Sequence, residues 1–190
     1  MNILVSGFAP FLGQTVNPSA QIAEALALEF PHVSSIVLPV EYNIAFSTLE
    51  ERINQLNPDF ILMLGQARNR QNICLEKVAL NWIFSQYADE NGRKPDAGPI
   101  VPNSELALMT AVHLEKVFAD DPDFQISFSA GTYVCNELYY RVLHHFKKSE
   151  SLFAHLPLLP EQMVKGDVYS MDYSEQLKVI KKLVHRLGRD

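Results

Sequence analysis

Apolar runs of strand length alternate along the chain with segments of helical period. Residues 2–6 (NILVS) form a short apolar run that stops at Gly7, the pattern of a buried strand. Asn17-Pro18-Ser19 then opens the helical stretch IAEALALEF, and residues 34–38 (SSIVL) read as the next strand, ending at Pro39. Helical periodicity returns over 47–56, whose opening Ser-Thr-Leu-Glu-Glu resembles a capping box. Residues 59–64 (DFILML) are a strand that stops at Gly65, and 76–82 read as an extended segment beside a loop. The polar stretch 87–102, with its Gly and Pro residues, reads as loop. Beyond it the pattern predicts a helix over 105–118, a strand over 125–129 (QISFS), a helix over 135–148, a strand over 152–156 and a basic-ended helix over 173–187.

Strand followed by helix, repeated, is the signature of an α/β protein. The strands are apolar throughout rather than alternating, as expected where helices cover both faces of a parallel sheet. No repeat, low-complexity tract or linker interrupts the 190 residues. The expectation is a single three-layer α/β/α domain over 1–190 with a mostly parallel, twisted sheet.

Composition narrows the function classes. Hydrophobic residues make up 47% and charged residues 20%, an ordinary globular balance. The net charge of −6 gives no electrostatic footprint for nucleic acid, and no Lys/Arg cluster suits an anionic membrane. The N-terminus lacks the basic region of a signal peptide, and no apolar run is long enough to span a bilayer, so a cytoplasmic location is expected. The two cysteines, Cys74 and Cys135, make no disulfide framework and match no zinc spacing.

In open α/β sheets ligands sit outside the carboxyl ends of the strands. That rule selects 7–17, 65–72, 131–136 and His155 before any motif is considered. Cys135 falls at the first turn of a helix, where unpaired N–H groups and the helix dipole favour an anion and would lower a thiol's pKa. The Gly131 and Thr132 backbone would turn beneath it and offer oxyanion donors. A small buried residue at a strand–helix corner explains the same placement. Of six histidines, His155 alone lies inside an apolar run, where it is either a base for the thiol or a hydrogen-bonded core residue. Glu76, in ICLEKVALN, is either the partner of an imidazolium, the salt-bridge partner of Lys77 or a solvated loop end. The residues taken one by one leave these alternatives open.

Taken together they form a pattern. SGFAPFLGQTVNPS, LGQA, LEKVALN, SAGTYVCN and HLPLLPEQ, in this order, resemble the pyroglutamyl peptidase I family over about 2–162. The resemblance implies a cysteine peptidase that removes N-terminal pyroglutamate from peptides, in an α/β/α fold, as a homo-oligomer (tetramer or dimer), without metal or cofactor. It implies Cys135 as nucleophile, His155 as general base and Glu76 as the group orienting His155. Phe8, Phe11 and Tyr133 would wall the pyroglutamyl pocket with Val134 beside them, while Asn17 and Gln66 would bond the lactam. This chain departs from the family pattern at Ala9, where the family has aspartate, and at Leu12, where it has glycine. Lys77 replaces an arginine after the glutamate, Gln86 stands where the family has an arginine near the site, and the 87–102 loop is shorter. A second reading is therefore a pyroglutamyl-binding homologue with weak or no turnover. A phosphate loop at GFAPFLG is a poor reading, because Pro10 and two phenylalanines displace the N–H groups a phosphate cradle needs.

Overall fold

The computed structural model describes residues 1–118 and 120–187. Its elements in chain order are β1 (Ile3–Phe8), α1 (Pro18–Glu29), β2 (Val33–Leu38), α2 (Ile44–Leu56), β3 (Phe60–Gln66), β4 (Ile73–Glu76), β5 (Val78–Leu80), β6 (Ala107–Met109), α3 (Leu114–Phe118), β7 (Phe124–Ser127), α4 (Val134–His145), β8 (Glu150–Leu156) and α5 (Tyr173–Leu187), with a 3-10 turn at Pro160–Gln162. A six-stranded sheet runs in the order β2-β1-β3-β8-β4-β7, and β5 pairs with β6 in a separate ribbon. Neighbours in the large sheet are parallel except β4 and β8, which run antiparallel.

Strand side chains alternate between faces, and this period of two assigns the layers. Ile3, Val5, Leu62, Leu64, Leu75, Leu152 and Ala154 pack with α1, α3 and α5. Leu4, Phe8, Ile61, Met63 and Phe153 pack with α2 and α4 on the opposite face. The expected three-layer α/β arrangement with a mostly parallel sheet is the observed one. The same parity has a functional consequence. Cys74 and Glu76 alternate with Ile73 and Leu75, and His155 alternates with Ala154 and Leu156. Glu76 and His155 must therefore face the layer that contains α4.

Helix α1 begins where the sequence signals it. Asn17 is its N-cap, accepting from Ser19 N–H at 3.1 Å, and Pro18 occupies the first helical position. The helix start lies directly against β1. A Cβ on Gly7 would stand 2.2 Å from the Ser19 carbonyl oxygen, so only glycine permits this approach.

Other expectations are corrected. The predicted helix over 105–118 is instead strand β6, a turn, and the five-residue helix α3. Its apolar positions do not form a buried stripe: Leu106 is 86% and Met109 66% exposed. Thr110 ends the strand by donating its hydroxyl to Ser151 O at 2.6 Å while accepting from Val112 N–H. The extended segment over 76–82 is split between two sheets. Lys77 is the switch, its N–H donating to Ser127 O. Helix α2 starts at Ile44 rather than at Ser47, with Asn43 at φ 65° as its N-cap residue. Ser47 Oγ donates back to Ile44 O, so it caps nothing and the capping-box reading fails. Helix α4 ends at His145, three residues before the expected 148.

Replacing Gly7 by alanine is expected to cost about 2 kcal/mol or more, because the obstructing atoms are backbone and cannot rotate away. Urea unfolding of Gly7→Ala measures this. An unchanged midpoint would mean that the β1–α1 contact is looser than described.

Candidate active site

The carboxyl ends of β1, β3 and β8, together with the start of α4, surround a cavity of about 420 Å³. Cys135, His155, Phe8, Phe11, Asn17, Gln66 and Tyr133 line it, as the sequence reading expected. Val134 does not. Its side chain is fully buried in the core beneath α4.

Glu76 and His155 meet inside the protein. Glu76 is fully buried, and its Oε1 lies 2.7 Å from His155 Nδ1. A carboxylate can only accept, so Nδ1 carries the proton and Nε2 is left as the accepting nitrogen of the neutral ring. The antiparallel register of β4 on β8 sets this contact, with Cys74 opposite His155 and Glu76 opposite Phe153. Phe153 packs against the imidazole, ring centroids 4.7 Å apart. Tyr139 fixes the end of β4 by donating its hydroxyl to Glu76 O at 2.8 Å. Lys77 is not the partner of Glu76. Its ammonium bonds Glu115 Oε2 and Val112 O instead.

Cys135 sits in the first turn of α4, partly buried on the cavity wall. The end of β3 comes close beneath it: a Cβ on Gly65 would be 3.1 Å from Cys135 Sγ and 2.7 Å from the Phe153 ring. Among the described residues no hydrogen bond joins the thiol to the imidazole. Burial works against the thiolate that the helix start would favour. Burial, followed by the Glu76 charge, pushes the Cys135 thiol up to about 12, and its own N–H offsets only part of this. The helix start is thus outweighed by enclosure. Of the two expected oxyanion donors, the Gly131 N–H is already engaged. Gly131 N–H donates to Ser129 Oγ, and Thr132 is paired with Phe84 through both its carbonyl and its hydroxyl. The first N–H taken up within α4 belongs to Glu137, which leaves the amides at the helix start, Cys135 among them, for a developing oxyanion.

The polar wall is held by hydrogen bonds across loops. Gln162 Nε2 donates to Gln66 Oε1 at 3.1 Å and to Val16 O at 3.0 Å, tying three loops together. Asn17 Oδ1 accepts from Ser19 N and Oγ, and its Nδ2 donates to Ala9 O, so most of its amide serves the cap and the loop. Tyr133 donates to Ala88 O and stacks edge-on against Tyr42. Sequence reasoning missed Gln162, Arg68 and Arg70. Arg68 lines the cavity and pairs with Asp167 at 3.3 Å. Arg70 reaches Glu76 Oε1 at 3.5 Å. Gln162 stands inside the quoted HLPLLPEQ motif, the only signal that pointed to it. Gln86 is exposed and lies off the cavity wall. Among the described residues no group of three or more His, Cys, Asp and Glu gathers as metal ligands would.

A thiol, an accepting imidazole and a buried carboxylate on an apolar cavity define a cysteine hydrolase site. A model of the pyroglutamyl peptidase family matches residues 1–187. Pyrrolidone-carboxylate peptidase 1 of Caldanaerobacter subterraneus subsp. tengcongensis is 32% identical over 195 residues, covering 97% of this chain and 96% of that protein. The Pyrococcus furiosus pyrrolidone-carboxylate peptidase is 34% identical, with 95% of each chain covered. The crystal structure of pyrrolidone carboxyl peptidase from Fervidobacterium islandicum AW-1 superposes with a TM-score of 0.90 at 35% identity over 98% of each chain. The chain belongs to the pyroglutamyl peptidase family of cysteine peptidases.

The high thiol pKa has a measurable consequence. Below its pKa a thiol's reactive fraction rises about tenfold per pH unit. Alkylation of Cys135 by iodoacetamide, followed by mass spectrometry on the free protein, is expected to climb steadily between about pH 7 and pH 10. A plateau near neutrality would show a thiolate–imidazolium pair instead.

Proposed function

We propose that this chain hydrolyses the amide bond that follows an N-terminal pyroglutamyl residue, with Cys135, His155 and Glu76 as its reacting and orienting groups. The observation that carries the reading is the 2.7 Å contact between fully buried Glu76 and His155 on the wall of the cavity that Cys135 shares. His155 Nε2 takes the thiol proton as Cys135 Sγ bonds to the pyroglutamyl carbonyl carbon. The helix-start amides receive the oxyanion. Collapse breaks the C–N bond, and His155 gives its proton to the leaving amine. Water then attacks the thioester, losing a proton to His155, which returns it to the Cys135 sulfur as pyroglutamate departs.

The pocket suits a small uncharged ring. Phe8, Phe11 and Tyr133 supply apolar walls that penalise the free ammonium of an open-chain residue. Gln66 Oε1 already accepts from Gln162, which leaves the Gln66 amide N–H to donate to the lactam carbonyl. A peptide bearing N-terminal pyroglutamate is thus the partner the site fits. Self-association belongs to the same reading. Trp82, Phe84, Tyr87, Leu106 and Met109 are all exposed apolar side chains of the β5–β6 ribbon and the connection between its strands, a surface suited to a second copy of the chain. No helix among the described residues is long and apolar enough to cross a membrane.

A pyroglutamyl fluorogenic amide tests the activity. Wild type is expected to release the fluorophore and to leave the matching glutaminyl amide intact. Cys135→Ala should lose on the order of 10⁴-fold or more in kcat/KM, whereas Cys74→Ala, buried in β4, should keep most of the rate. Equal losses in the two variants would displace Cys135 as nucleophile, and a comparable rate on the glutaminyl amide would refute the pocket. Sedimentation velocity is expected to show a dimer or tetramer. A monomer at micromolar concentration would remove the self-association reading.

A further inference from the structure

We infer that Arg70 is a positioning residue for this peptidase reaction, supplying the counter-charge of Glu76 during the part of the cycle in which His155 is neutral. The inference rests on the hydrolytic reading given above. Glu76 has no solvent contact. One of its oxygens, Oε1, meets His155 Nδ1 at 2.7 Å and Arg70 at 3.5 Å. The other, Oε2, is buried without any hydrogen-bond partner. Among the described residues, Arg70 and His155 are the basic side chains paired with this carboxylate.

The two partners do different work. His155 must be neutral to accept the thiol proton and charged after accepting it. When it is charged, the imidazolium compensates Glu76. When it is neutral, Glu76 would be a buried anion lacking compensation, an expensive arrangement that is relieved by keeping a proton on the imidazole or on the carboxyl. The first outcome removes the base and the second removes its orientation. Arg70 keeps the carboxylate compensated in both states, so the proton can pass between Cys135 and His155 without exposing a bare buried charge.

The position of Arg70 is built rather than incidental. It lies in the β3–β4 connection, where Asn69 turns the chain at φ 58° and accepts from Val168 N–H through Oδ1. The Arg70 guanidinium also donates to Ser129 O, in the loop leading to the nucleophile. Its side chain is 29% exposed and does not line the cavity, so it acts behind the site rather than on substrate. Neighbouring candidates are occupied elsewhere: Lys77 on Glu115 and Arg68 on Asp167. The titratable and charged groups around the imidazole are Glu76 and Cys74 from β4, Cys135 from α4, and Arg68 and Arg70 from the β3–β4 connection. Cys74 lies beside the same pair. Its thiol is pushed up by burial first, with Arg70 lowering it and Glu76 raising it.

The experiment is the pH profile of kcat and KM for a pyroglutamyl amide with full-length wild type, Arg70→Met and Arg70→Lys. In Arg70→Met the uncompensated carboxylate holds the proton on the imidazole, so the acid limb of kcat/KM moves up by about one pH unit or more. At pH values on that limb kcat falls about tenfold, while KM stays within about twofold, since Arg70 is off the cavity wall. Arg70→Lys retains a cation and returns the limb toward wild type. Should Arg70→Met fail to fold, Arg70→Gln, which keeps a donor for Ser129 O, carries the same expectation. A variant whose rate falls equally at every pH, whose loss appears in KM, or whose rate is unchanged overturns the inference. Absence of turnover in the wild type would instead overturn the peptidase reading, whereas an active wild type with an unmoved limb in the variants overturns the role of Arg70 alone.

Discussion

A carboxylate with no solvent contact, 2.7 Å from an imidazole and 3.5 Å from a guanidinium, constrains the rest of this molecule. Removing such a group from water is costly, and attraction to partners compensates only when the geometry is held closely. The sheet provides that hold. Strand β4 runs antiparallel to β8 inside an otherwise parallel array, and this reversal places Cys74 opposite His155 and Glu76 opposite Phe153. Parity then turns Glu76 and His155 to the same face, where Tyr139 of α4 clamps the Glu76 carbonyl. Asn136, fully buried one residue after Cys135, bonds the Leu80 amide and carbonyl and the Trp82 carbonyl. The helix that presents Cys135 is thereby fastened to the chain that leaves Glu76.

Enclosure has an electrostatic consequence. A helix start favours a thiolate, but here the thiol lies against β3 at Gly65 and within reach of the Glu76 charge, and both burial and charge favour the protonated form. Neither burial nor the Glu76 charge favours a preformed thiolate–imidazolium pair, so the helix start alone does not set the state of the thiol. In the proposed reaction, proton transfer then accompanies attack on the carbonyl, and an uncharged ring that excludes water from the Phe8–Phe11–Tyr133 side would strengthen the interactions that this transfer requires. A thiol of this kind resists adventitious oxidation and alkylation near neutrality, since the thiolate is the reactive species.

Much of this was legible in the chain. Strand β8 stops where proline follows its apolar run, β1 and β3 each run one residue past the glycine expected to end them, and Asn17-Pro18 marks the start of α1 to the residue. The carboxyl-end rule selected the loops that line the cavity. What escaped was what depends on distant partners. Thr110 breaks the expected helix because its hydroxyl finds Ser151 O, a carbonyl 41 residues away. Gln162 is a wall residue because it meets Val16, 146 residues distant, and Gln66, 96 residues distant. Arg70 looks like one more loop arginine until β4 carries Glu76 back beside it. Ser47 satisfied a local capping pattern, yet the packing of Ala45 and Phe46 into the α2–α4 layer draws the helix start three residues upstream.

The departures at Ala9, Leu12 and Gln86 fall outside this constrained centre, and their placement bears on whether the chain is an enzyme or only a binder. Ala9 is held through its main chain: its N–H donates to Leu38 O and its carbonyl accepts from Asn17. Losing a side-chain carboxylate there leaves the loop anchored. Leu12 occupies φ 52°, a left-handed conformation suited to glycine, and its N–H is fixed by Glu90 Oε1 at 2.9 Å. The strain it carries falls on the cavity lining at an exposed position, so it reshapes the mouth rather than the floor. Gln86 is exposed and does not line the cavity. None of these substitutions touches the hydrogen bond from His155 to Glu76 or the seat of Cys135 on α4. A homologue that had lost turnover would have no selective reason to retain a fully buried carboxylate against an imidazole, since a hydrophobic pair of the same volume is as stable or more so. The presence of that costly pair favours catalysis over binding alone.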